Sequence, residues 1–79
     1  MFRPYTRRRL EEELTHRGLA LVVVRNGILY RRMFRAENVY GHSELIGSFP
    51  IGGRPDWKAM IERLSGPGII HTLGGKEST

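Results

Sequence analysis

Arginine carries most of the chemistry in this chain. The stretch Tyr5-Thr6-Arg7-Arg8-Arg9-Leu10-Glu11-Glu12-Glu13-Leu14 sets three guanidinium groups ahead of three carboxylates at a predicted helix start. The positive end of a helix macrodipole favours acidic groups by about 0.3–1 kcal/mol each, so this order runs against the local preference. Two kinds of chemistry would account for it. The first is internal: Arg7 with Glu11, Arg8 with Glu12 and Arg9 with Glu13 are i,i+4 pairs. Each is worth about 0.2–0.5 kcal/mol and has the weaker Arg-before-Glu order, whereas Glu13 to Arg17 has the better one. The second is external: a phosphate or carboxylate at the helix start would meet arginine donors and unpaired backbone N–H groups together.

A second candidate anion site is Phe49-Pro50-Ile51-Gly52-Gly53-Arg54-Pro55-Asp56-Trp57-Lys58. A glycine pair before a helix can cradle a phosphate with backbone N–H groups, and Arg54 and Lys58 stand nearby. The spacing matches neither Gly-x-x-x-x-Gly-Lys-Ser/Thr nor Gly-x-Gly-x-x-Gly, and a flexible strand-to-helix connection accounts for it more simply. His16, His42 and His71 fall in separate elements, none with a second ligand at metal-site spacing. No metal or cofactor is therefore expected. His42-Ser43-Glu44 places a base, a hydroxyl and a carboxylate in sequence, but neighbours on an extended segment point to opposite faces. We expect no catalytic site. The enzymatic alternative is an RNase-like toxin with His42 or His71 as general base and arginine stabilising the phosphate.

The 79 residues carry a formal charge of +5, and eleven of the thirteen basic residues are arginine, the side chain whose planar fork suits phosphate and carboxylate. The charge is uneven. Residues 1–35 hold nine Arg against three Glu, whereas residues 36–79 hold four basic against five acidic groups. That asymmetry implies a basic face and an anionic partner such as nucleic acid or an acidic protein surface. The longest apolar run, Leu19–Val24, is far short of a bilayer span, and the first residues lack signal-peptide layout. A soluble, cytoplasmic protein with no membrane partner is expected. Without cysteine there is no disulfide framework or thiolate metal site, so a small core must hold the fold, with help from a homodimer or partner interface if one forms.

The elements that must position these residues follow from periodicity. A first helix is predicted from about Thr6 to Arg17, with Thr6 as N-cap, Leu10 and Leu14 one turn apart and Gly18 past the end. Leu19 to Phe34 reads as a β-hairpin, with Asn26-Gly27 as a two-residue type I′ turn. That register sets Arg25 against Ile28, Val23 against Tyr30, Leu21 against Arg32 and Leu19 against Phe34. The other face then holds Ala20, Val22, Val24, Leu29, Arg31 and Met33. Both faces are apolar near the turn, so a helix on each side, a second copy or a partner is expected to cover the second one. A bulge near Arg31-Arg32 would return Tyr30, Met33 and Phe34 to consistent faces.

Residues 36–43 read as a connector, and a third strand follows in which Leu45, Gly47, Phe49 and Ile51 share a face, ending or at an edge because of Pro50. A second helix is predicted with Pro55 at its first position, Asp56 in its first turn, and Trp57, Met60, Ile61 and Leu64 as its apolar stripe. Ser65-Gly66-Pro67 stops it, and Gly68–Leu73 reads as a short last strand. The prediction is one α+β domain over residues 1–73, order α-β-β-β-α-β, an antiparallel sheet with two helices, and a flexible tail over 74–79. Phe34, Phe49 and Trp57 are assigned to the core. Tyr5, Tyr30 and Tyr40 remain as aromatic contact candidates.

The order α-β-β-β-α over residues 6–65 is similar to that of double-stranded-RNA-binding domains and of HicA-type RNase toxins. The resemblance is one of topology. The second helix begins with Arg54, Asp56 and Lys58 where the RNA-binding domains have a lysine-rich start, and the Gly-Ser/Thr-x-His strand motif of the toxins is absent, so no site is carried over. Length and charge are also similar in kind to small inhibitors from phages and mobile elements, including anti-CRISPR proteins. The leading expectation is a non-enzymatic protein that engages nucleic acid or a nucleoprotein through Arg3, Arg7, Arg8, Arg9, Arg31, Arg32, Arg35, Arg54 and Lys58, with Tyr5, Tyr30 and Tyr40. The alternative is an inhibitor that binds a host protein complex.

Overall fold

A computed structural model of the chain describes residues 3–66. The elements are α1 (Arg7–His16), β1 (Ala20–Asn26), β2 (Arg31–Glu37), β3 (Ser43–Pro50) and α2 (Trp57–Ser65). The strands form an antiparallel meander in the order β1-β2-β3, so the chain is a small α+β domain with the order α-β-β-β-α. The expected last strand, Gly68–Leu73, and the tail lie outside the described residues.

Helix limits follow local chemistry. The Thr6 side chain accepts from the Arg9 N–H at 3.1 Å, which caps α1, and Gly18 takes φ +73° just past its end. In α2 the cap is Asp56, whose carboxylate accepts from the Ala59 N–H at 3.0 Å. Pro55 therefore sits before the helix and Asp56 at its boundary, and the helix begins at Trp57, two residues later than expected. A carboxylate satisfies an end N–H better from the cap than from within the first turn.

Both helices pack on one face of the sheet. Leu10 and Leu14 of α1, Leu19, Phe34 and Ala36, Ile46 and Phe49 of β3, and Met60, Ile61 and Leu64 of α2 form a single core. Tyr5, Leu21 and Trp57 pack against its rim. The other sheet face presents Val22, Val24, Met33 and Leu45, and no element covers it among the described residues.

The hairpin differs from the expected one. Asn26 pairs with Arg31 and Val23 with Phe34, so the loop is Gly27-Ile28-Leu29-Tyr30, four residues long. The Asn26 side chain accepts from the Leu29 N–H at 3.0 Å and Tyr30 takes φ 55°, which close this longer turn without a type I′ pair at Asn26-Gly27. The partner of Val23 moves from Tyr30 to Phe34, an even step of four residues, so the side chains that stay in the strands keep their predicted faces while Ile28, Leu29 and Tyr30 leave the sheet for the turn. Leu21 and Val23 still share the core face with Phe34.

The bulge lies in β3, not near Arg31-Arg32. Phe34 pairs with Gly47 and Arg35 with Leu45, which leaves Ile46 as the extra residue. This single insertion turns Glu44, Ile46, Gly47 and Phe49 toward the helices and Leu45 toward the open face, so the expected grouping of Leu45 with Gly47 and Phe49 fails. Gly47 lets Met60 pack close to the strand: a Cβ would stand 2.5 Å from the Met60 sulfur and 2.7 Å from its Cγ, so any larger residue requires Met60 to shift.

Candidate functional site

The starts of the two helices meet at one end of the sheet. Arg7, the first residue of α1, holds its guanidinium carbon 5.8 Å from the centre of the Phe34 ring. Trp57, the first residue of α2, packs on the same ring at 5.5 Å. Tyr5 lies between the helices, with the Arg9 guanidinium 4.6 Å from its ring centre and the Lys58 ammonium at 6.0 Å. Each helix start carries a partial positive charge of about +0.5, and neither first turn contains an acidic residue.

The sheet extends this surface. Arg32 lies two residues closer to the hairpin than Phe34 and on the same face, and its partner across β1 is Arg25. Both are exposed, and among the described residues neither has an ion pair. Arg54 is also exposed in the loop before α2, and that loop is tied to the hairpin by the Ile51 N–H donating to the Tyr30 carbonyl at 3.1 Å. Tyr30 therefore belongs to the same end. Arg3, Arg8 and Arg9 line a shallow depression of ≈ 250 Å³ with Pro4, Thr6 and Glu12.

Part of the charge is neutralised internally. Arg3 pairs with Glu12 at 2.8 Å, Arg7 with Glu11 at 3.2 Å and Arg8 with Glu12 at 3.5 Å. The expected Arg9–Glu13 pair is absent because Glu13 takes Arg17 at 3.0 Å, the pair with the better helical order. Hydrogen bonding from Arg17, more than any other influence, holds the Glu13 carboxyl below its usual range. Arg9 instead stacks on Tyr5 and donates to the Arg3 carbonyl at 2.9 Å. Its Nε is cut off from solvent and meets no acceptor among the described residues. At this end Arg3, Arg7, Arg8, Arg9, Arg25, Arg32, Arg54 and Lys58 face three carboxylates, Glu11, Glu12 and Asp56.

Three of the expected contact residues lie elsewhere. Arg31 and Arg35 are on the open sheet face, where each lies against a serine of β3. Arg31 donates to Ser48 Oγ at 2.7 Å and Arg35 to Ser43 Oγ at 3.0 Å. Tyr40 is at the far end of the sheet, 81% exposed, in the loop between β2 and β3. Conversely, Arg25 was not among the expected contacts; the available signal was its place on the same strand face as Leu21 and Val23.

The other chemical candidates are committed to structure. The Gly53 N–H donates to the Pro50 carbonyl at 2.8 Å and Gly52 takes φ +88°, so the glycine pair forms a tight turn. Ser43 accepts from Arg35, and Glu44, 8% exposed, pairs with Arg63 at 3.1 Å. His42 is exposed, and its backbone N–H donates to Asn38 Oδ1 at 3.0 Å. Among the described residues no group of His, Asp and Glu has the arrangement of a metal site, and no helix is long and apolar enough to cross a membrane. No family model, curated protein or solved structure matches this chain.

Proposed function

We propose that the protein is a non-enzymatic binder of nucleic acid, alone or within a nucleoprotein, and acts in the cytoplasm. The observation that carries this reading is the convergence of both helix starts on Phe34 and Tyr5, with Arg25 and Arg32 continuing the cationic surface across the sheet. Guanidinium forks and helix-end N–H groups both suit phosphate oxygens, and an arrangement this wide can follow a backbone. Base specificity is not part of the proposal.

Titration of labelled duplex DNA and single-stranded RNA at 50 and 200 mM salt tests it. Neutralising six to ten phosphates should cost about 10³–10⁵-fold in duplex affinity across that range. Absence of binding to either polymer at the lower salt would overturn the proposal. The large exposed apolar residues at the loop tips, Ile28 at 97% and Val39 at 85%, favour a second reading: a phage or mobile-element inhibitor that docks on a host protein. Retention of one defined protein from a nuclease-treated lysate, lost on Ile28→Ser or Val39→Ser, would support it.

A further inference from the structure

We infer that the outer edge of β1 pairs with the β1 edge of a second copy, joining two three-stranded sheets into one about a two-fold axis. The two edges of the sheet are built differently. In β3 the Ile46 bulge distorts the pairing line and Pro50 has no N–H to offer, two devices that keep an edge from recruiting another strand. β1 has neither. It is Ala-Leu-Val-Val-Val-Arg-Asn, in unbroken register with β2, without proline, glycine, lysine or bulge, and Val23 and Val24 remain 39% and 41% exposed. A regular apolar edge of this kind is a template for strand addition.

Self-pairing has a register that fits the sequence. A two-fold axis perpendicular to the sheet keeps the helix side on the helix side, so only positions on the same strand face can oppose one another. The register centred on Val23 pairs all seven residues: Ala20 with Asn26, Leu21 with Arg25, Val22 with Val24, and Val23 with its own mate. Registers centred on Val22 or Val24 leave two residues without a partner. The Val23 register also brings Val22 and Val24 together twice on the open face, where Val24 lies beside Met33 and Val22 beside Arg35 of β2. It places Arg25 across from Leu21 of the second copy and so keeps the two Arg25 side chains apart, which separates like charges.

The end of α2 lies on the β3 side of the sheet, where Arg63 pairs with Glu44. The inference does not depend on nucleic-acid binding, and nuclease treatment before the measurement separates the two.

Light scattering on the nuclease-treated full chain should give twice the 9.1 kDa chain mass. Val22→Lys with Val24→Lys changes only the open face and sets like charges opposite each other, so this variant should run as a monomer. Mixing it with Val22→Glu/Val24→Glu should restore a mixed dimer. The chain has no cysteine, so Val23→Cys adds a single thiol at the two-fold. Mild oxidation should link it efficiently, with Val39→Cys as an exposed control that does not link. A monomeric full chain, or a dimer indifferent to the lysine pair, overturns the inference. A monomer that dimerises only when residues 67–79 are removed also overturns it, and assigns the edge to that segment.

Discussion

Replacing Arg25 with glutamine is expected to move stability and binding in opposite directions. Arg25 and Arg32 are direct register partners, both exposed, and no carboxylate pairs with either among the described residues. Like charges opposed on a strand pair destabilise by about 0.2–1 kcal/mol. Exposure and salt screening put this pair near the lower end, about 0.2–0.5 kcal/mol. For a domain of this length, relief of that repulsion raises the melting temperature by about 1–4 °C. The same change removes one proposed phosphate contact and lowers the slope of log affinity against log salt by about 0.9 on duplex DNA. Over a fourfold rise in salt, the variant should therefore lose about 3.5-fold less affinity than the unmodified chain. Thermal unfolding by circular dichroism and anisotropy titrations on one preparation read both quantities. Adding Arg32→Gln should roughly double the loss of slope with no second gain in stability, because the repulsion disappears with the first charge. A lower melting temperature for Arg25→Gln, or an unchanged salt slope, would refute the assignment of these residues to an anion-binding surface.

Three further outcomes are expected from the packing and ion pairs. Gly47→Ala sets a methyl group against the flexible side chain of the buried Met60, which must shift to make room, and should cost about 1 kcal/mol in urea denaturation, the lower end for overpacking. Arg63→Met leaves the buried Glu44 carboxylate without its cation, while Glu44 Oε1 already lacks a partner among the described residues. It should cost about 1–3 kcal/mol by the same assay, with part recovered when Glu44→Gln is added. Because Arg17 lowers the Glu13 pKa in the folded chain, Glu13 contributes stability above its usual value of 4.5, and that contribution is lost as pH falls through the lower folded value. Denaturation midpoints measured downward from about pH 6 should show a shallower acid limb for Glu13→Gln than for the unmodified chain.

The parts of the fold that depend on short-range chemistry were legible in the sequence. Thr6 and Gly18 mark the limits of α1 because a side-chain cap and a left-handed residue are local requirements. The alternation assigns faces correctly for the residues that remain in β1 and β2 even though the register is displaced, since an even shift of partners preserves parity, but it misplaces Ile28, Leu29 and Tyr30, which lie in the turn. The loop length was not legible, because Asn26-Gly27 favours a two-residue turn in isolation while the pairing of Val23 with Phe34 and of Leu21 with Ala36 wins in the assembled core. The Ile46 bulge was hidden for a similar reason: Gly47 must face Met60 while Leu45 faces outward, and only the helix overhead imposes the first condition. For the candidate surface, charge asymmetry identified the arginines but not their sides. Placing both helices over one face separates Arg31 and Arg35 from the group at the helix starts and adds Arg25 to it.

The stacking of Trp57 on Phe34 gives the molecule an intrinsic optical sensor. Trp57 is the single tryptophan of the chain, half-buried, and begins α2 beside Lys58 at the centre of the proposed contact surface. Its emission is sensitive both to detachment of the second helix and to a change of polarity at the helix starts. Undocking and ligand arrival can thus be followed in the unmodified protein, on the same chromophore and without a label near the arginines.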